Sequence, residues 1–334
     1  YVRTLLHIRP VVPLFWYSMP MSPHIIHTLY TMTTKYYTIL LATLFAFTAC
    51  GSDNNTEGGN TSSGNTNSNL SEANPVTHRM EFPRLKGGNS AIIIHYDKDE
   101  VNYSVEWDTD IRSCRWSCYE IYGANRKANV SRYYASDGEY QYPTDPDFAS
   151  TAAWTVDNDP FWRSGNHHGH MCPSADRLNS RNANYQTFYL TNMMPQVNGF
   201  NAGVWATMEA WVRNQIKADN TTDTLFVVKG GTIDNASQVL STKVHGMTIP
   251  KYYYMAVLMH NTSGYKAMGF WIDHKANKTT NLSPYVVNID TLEQRTGIDF
   301  FCNLPDNIER HVEGLSVDNV RKAWGFSAAS STAK

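Results

Sequence analysis

Residues 165–176 read GNHHGHMCPSAD and residues 188–205 read FYLTNMMPQVNGFNAGVW. The first stretch packs three histidines into four positions. That spacing does not suit the helical i, i+4 histidine pair of a zinc protease, and no acidic residue lies between them. The second stretch runs from an apolar segment through Pro and Gly into an amphipathic helix pattern over 201–217. There Val204, Trp205, Met208, Trp211, Val212 and Ile216 share one face. A loop rich in histidine, leading to a helix that carries Asn and Glu, is a better guide to this chain than its overall composition.

Working outward, alternating β-branched and aromatic residues predict strands at 90–96, 102–107, 113–122 and 185–191, and again at TLFVVKG, YYYMAVLMH and YKAMGFWI. Helices are expected at NIDTLEQRTG, capped by Asn288 or Asp290, and at SVDNVRKAWG. The mixture of strands with segregated helices indicates the α+β class. Of the 334 residues 42% are hydrophobic, enough for a sizeable core, and the net charge of −2 gives no global basic field for nucleic acid. Any polyanion site must therefore be local.

The termini read differently. Residues 32–49, with one early lysine and an apolar run of about a dozen residues, have the pattern of a signal peptide. The ending FTAC resembles a bacterial lipobox and implies lipidation at Cys50. Residues 1–31 show no pattern and read as a non-native leader upstream of the true start. Residues 50–75 are polar and read as a flexible tether, since they cannot bury enough surface to offset ordering entropy. The globular domain is expected over 76–326, with 327–334 as a tail. This arrangement places the protein in the envelope of a Gram-negative bacterium, lipid-anchored on the outer membrane and either periplasmic or surface-exposed. In that setting Cys114, Cys118, Cys172 and Cys302 favour disulfides over a zinc site, with three pairings open.

GHMCPSAD, then N-x-x-P-Q from Asn192, Asn201 nine residues later, and W-x-x-M-E ending at Glu209 follow one another in the order of a known family. The sequence resembles the DNA/RNA non-specific endonucleases of the ββα-metal (His-Me finger) fold. The likeness continues through KVHGMTIPKYYYMAVL, DTLEQRTGIDFF and NLPD and spans most of 90–315. It implies a mainly antiparallel central sheet flanked by helices, and an Mg²⁺-dependent enzyme, with Mn²⁺ able to substitute, that hydrolyses DNA and RNA held through their phosphates. It assigns His170 as general base, Asn201 as metal ligand, Glu209 as holder of a metal-bound water, and Asn192 as an orienting or phosphate-gripping residue. A neutral imidazole suits proton abstraction from water, and a carboxamide oxygen suits a hard cation. Trp205 reads as core.

One departure stands out. The family has Asp-Arg before Gly-His, whereas this chain has His167 and His168. His168 replaces the arginine's contact with phosphate only when protonated, and Arg177 is a second substitute. A further family arginine, acting on transition-state charge, matches Arg132 best and Arg126 less well. The changed motif keeps a second reading open, a surface lipoprotein that binds nucleic acid or another ligand without turnover.

Because membrane attachment would rest on the lipid alone, Cys50→Ser is expected to shift the protein from the membrane to the soluble fraction. Retention in membranes after signal cleavage would contradict the lipid anchor.

Overall fold

The computed structural model describes residues 64–240 and 242–326. Cys50, the signal-like segment, the leader and the tail 327–334 lie outside them. The described residues belong to one compact unit, and none of their helices is long and apolar enough to cross a membrane.

Seven strands form an antiparallel sheet: β1 Ser90–Asp97, β2 Glu100–Asp108, β3 Ser113–Tyr122, β6 Thr224–Gly231, β7 Tyr252–Asn261, β8 Gly264–Asp273 and β9 Val286–Val287. They lie in the order β1-β2-β3-β6-β7-β8-β9. The sheet is covered on both sides, which explains unbroken apolar runs such as MAVLM. Successive side chains of a strand point to opposite faces. Thus Tyr253, Met255, Val257 and Met259 of β7 enter one core, while Tyr254, Ala256 and Leu258 enter the other. The first core is covered by α2, Ala206–Arg213, through Met208 and Val212. The second is covered by α3, Ile289–Thr296, and α4, Asp306–Glu313. Helix α5, Val317–Ala323, adds Val320 to the first core. The fold is α+β, as the sequence indicates.

All of the functional motifs lie in the excursion between β3 and β6. It contains β4, His167–His170, paired antiparallel with β5, Met193–Gln196, and the short helix α1, Arg181–Gln186. The histidine motif is therefore a strand and not a loop. Residues 185–191 are no strand: they finish α1 and lead into a 3₁₀ turn at Leu190–Asn192. The expected helix over 201–217 is also divided. A wide π-type segment, Phe200–Trp205, breaks at Gly203 and α2 begins after it. The cause is a close backbone approach. Val204 N–H donates to the Asn277 carbonyl at 2.7 Å, and a Cβ on Gly203 would lie 2.0 Å from that oxygen.

Two further expectations fail. All four cysteines in the described residues are free and buried. Cys114 and Cys118 do not share a face, because a bulge in β3 leaves Arg115 without a register partner: Glu106 pairs with Trp116 and Trp107 with Cys114. Cys114 enters the first core and Cys118 the second. Residues from 65 onward, expected to be tether, also dock on the domain. Asn65 donates to the Cys302 carbonyl at 2.7 Å, Asn67 to Glu309 at 2.7 Å, and Asn69 to the Pro83 carbonyl at 2.9 Å. Asparagines attach this strap by satisfying loop carbonyls and carboxylates, so a count of apolar residues misses it.

Gly203→Ala is expected to destabilise the protein by about 1–3 kcal/mol, because a Cβ must push the Asn277 backbone away. Urea unfolding measures it, and an unchanged midpoint would show that the approach is slack.

Candidate active site

A cavity of about 300 Å³ opens where β4, the π-type segment and α2 meet. Arg132, His167, His168, His170, Asn201 and Glu209 all line it. Five of the residues singled out from the sequence thus come together: Arg132, His168, His170, Asn201 and Glu209.

His170 ends β4 opposite Met193. Phe188 meets its ring edge-to-face, with centroids 4.9 Å apart. Its Nε2 is buried and has no hydrogen-bond partner. Burial, then the charges of Arg132, Lys229 and His168, hold its pKa well below the usual histidine value. The imidazole is therefore neutral and free to accept a proton. Gly169 just before it is required, because a Cβ there would lie 2.4 Å from the Gln196 side chain across the β4–β5 pair.

Asn192 proves to be scaffold. Its Oδ1 accepts from Cys172 N–H at 2.8 Å, and its Nδ2 donates to the carbonyls of Cys172 and Thr187 at 2.9 and 2.8 Å. The side chain is fully buried, so no atom remains to grip phosphate. Arg177 is likewise buried, and its guanidinium donates to the Asn102, Asp176 and Glu120 carbonyls. It cannot stand in for the missing arginine. Arg126 donates to the Ile216 carbonyl at 3.1 Å and does not line the cavity.

His168 is held as a slab. Its ring stacks on Tyr142 at 3.6 Å and on Phe161 at 4.2 Å, and its Nε2 pairs with Asp159 at 2.9 Å. That nitrogen is committed to a carboxylate rather than left free for phosphate. Arg132 offers the freer charge. It makes no ion pair among the described residues and rests over the Phe188 ring at 4.7 Å. Asn201 is likewise untethered, with no hydrogen bond to its carboxamide among the described residues. Trp205 is fully buried in the first core.

Glu209 brings in a residue that the sequence reading missed. Its Oε1 accepts from Lys229 Nζ, a lysine on β6 that is 1% exposed. Burial pushes the Glu209 carboxyl up, and Lys229 opposes that rise. Lys229 also lies over the Trp205 ring at 4.9 Å. The signal was available: a lone lysine in the apolar run LFVVKGG, with the parity of Leu225 and Val227, which enter the core on the site's side of the sheet.

His95, Asp145 and Asp147 bring three ligand-type atoms within 4.8 Å of one another. However, the ring stands between the carboxylates, with Nε2 on Asp145 at 3.3 Å and Nδ1 on Asp147 at 2.9 Å. One ion could use only one of those nitrogens. Burial works to lower the His95 pKa, but the two hydrogen-bonded carboxylates raise it on balance. The ring therefore lies between the two carboxylates rather than beside them.

The family model of the DNA/RNA non-specific endonucleases matches residues 85–307. The chain belongs to this family. As a family member it is a nuclease, and a hydrolase by reaction. A nuclease of Nostoc sp. is 27% identical over 227 residues, covering 65% of this chain and 77% of the relative. Nuclease C1 of Cunninghamella echinulata is 29% identical, covering 49% and 67%. The mitochondrial nuclease of Saccharomyces cerevisiae is 30% identical, covering 43% and 49%. Among solved structures, the EndoG/EndoGI complex superposes with a TM-score of 0.51 at 20% identity, over 63% of this chain and 86% of that one. The nuclease fold of this chain agrees with that architecture.

Lys229→Met leaves Glu209 without its partner and is expected to cost about 3–5 kcal/mol where Glu209 stays ionised. Losing the lysine raises the folded-state pKa of Glu209 further. A raised carboxylate pKa stabilises below the unfolded value and loses that contribution as pH rises. The deficit should therefore grow from pH 5 to pH 8 in urea titrations, and equal deficits at both would contradict the pairing.

Proposed function

We propose that this nuclease hydrolyses DNA and RNA endonucleolytically, with His170 as general base and a divalent metal held by Asn201. The observation that carries this reading is the convergence on one cavity of an unpartnered, neutral imidazole, an untethered carboxamide and an unpaired guanidinium. His170 Nε2 takes the proton of the attacking water. Arg132 balances charge building on the phosphoryl oxygens. Lys229 holds Glu209, and Asn192 fixes the backbone that follows His170.

The donor set fits a hard cation: a neutral carboxamide oxygen from Asn201, with the second oxygen of Glu209 free to act through water. Mg²⁺, or Mn²⁺ in its place, would there stabilise the phosphoryl group and the leaving alkoxide. A larger groove of about 950 Å³ shares Arg132 with the cavity and adds Arg181, Tyr133, Tyr134 and Tyr185. Cations and aromatic rings together suit a polynucleotide strand gripped by its phosphates. This supports cleavage of both DNA and RNA. Arg132 and the intact His170 favour turnover over a binding-only lipoprotein. Lipidation at Cys50 and residence in the Gram-negative envelope complete the proposal on the sequence pattern.

His170→Ala should lower plasmid and RNA hydrolysis by about 10²–10⁴-fold or more while leaving binding in place, since it removes only the proton acceptor. Asn201→Ala should raise the Mg²⁺ concentration needed for activity, and EDTA should stop the wild type. Full cleavage in chelator would refute the metal role.

The depressed pKa of His170 keeps the base neutral well below pH 6.5, so kcat/KM should fall only in more acidic solution. Arg132→Ala removes one cause of the depression and should move that acidic limb upward. A limb in the same place in both proteins would exclude His170 as the titrating base.

A further inference from the structure

On the sheet face opposite the catalytic cavity, Asp290 and Glu293 lie three residues apart on α3, and Glu313 closes α4. One carboxylate oxygen from each lies within 4.8 Å of the others. The three grade from the most exposed, Asp290, to the buried Glu313, which is only 4% exposed. We propose that Asp290, Glu293 and Glu313 form a divalent-cation site of calcium type that staples α3 to α4.

Three features point to a cation. Glu313 Oε1 is buried and has no hydrogen-bond partner, although buried polar atoms are almost always paired. Glu293 uses Oε1 to accept Phe300 N–H at 2.7 Å, which fixes the carboxylate and leaves its second oxygen available. No basic side chain pairs with any of the three among the described residues. The leading charged neighbours of Glu313 are Glu293, Glu309, Asp299 and Asp290, all carboxylates. By contrast, Asn67 serves Asp299 and Glu309, donating to both.

Without an ion the arrangement is costly. Burial and then neighbouring carboxylates push the Glu313 carboxyl up to about 10, and burial first pushes Glu293 to about 8. Three hard oxygen ligands of uneven exposure, with water completing the shell, suit the flexible coordination of Ca²⁺ better than the strict octahedron of Mg²⁺.

The test uses the whole chain stripped with EGTA, comparing wild type with Glu313→Gln and Asp290→Asn. Both variants relieve repulsion and should fold, and all three proteins keep Asn201, so ion binding at the catalytic cavity is common to them. Calorimetric titration with CaCl₂ should show one site in the wild type that either variant weakens at least about tenfold, because ligand charge sets affinity in such sites. The wild-type melting temperature should climb with Ca²⁺, and less with equal Mg²⁺, while the Glu313→Gln melting temperature stays flat. An identical Ca²⁺ response in all three proteins, or none in the wild type, would overturn the site. So would a wild type stabilised by acidification to pH 5 but indifferent to Ca²⁺, since a shared proton would then hold the cluster.

Discussion

The clasp between Asn192 and the backbone of Cys172 is the contact on which the site's geometry depends. One carboxamide both accepts from and donates to the same residue, two positions beyond His170, and its remaining hydrogen goes to Thr187. It ties the exit of β4 to the entry of β5 where no water competes. His170 is thereby positioned through the backbone that follows it, and its Nε2 can remain unpartnered. A buried group with every valence satisfied supports one whose valence is deliberately open.

A second constraint comes from the sheet. Because both faces are covered, β6 must direct alternate residues into two cores, and Lys229 falls on the side of the catalytic cavity. A buried ammonium is tolerable there only beside a carboxylate, and Glu209 supplies it from α2. The pair links the site's helix to the middle of the sheet, and its positive member also helps keep His170 uncharged. One buried ion pair therefore has a structural and an electrostatic effect at once.

Much of this was legible in the sequence. Six of the seven strands of the large sheet were expected from the sequence, the two-residue β9 being the exception, and Asn288 caps α3 by accepting from Thr291 N–H. The order of motifs brings His170, Asn201 and Glu209 to one cavity. What was not legible depended on partners distant in the chain. Residues 185–191 alternate like a strand but have no neighbour to pair with. The bulge at Arg115 reverses the facing of Cys114, which no local pattern reports. The break at Gly203 is imposed by the Asn277 carbonyl, and the commitment of His168 to Asp159 follows from a loop fold. Asparagines in the strap looked like tether until the carbonyls they meet were in view.

The topology also bears on how the activity arises in time. Strands β3 and β6 are neighbours in the sheet, yet β3 ends at Tyr122 and β6 starts at Thr224. Every residue of the cavity lies inside that excursion. Closing so long a loop is entropically slow, because distant pairing must precede the contacts that reward it. Lys229 reaches Glu209 only after β6 has docked. A newly made or unfolded chain thus has no assembled cavity, and under the proposed function hydrolytic competence arrives together with closure of the sheet.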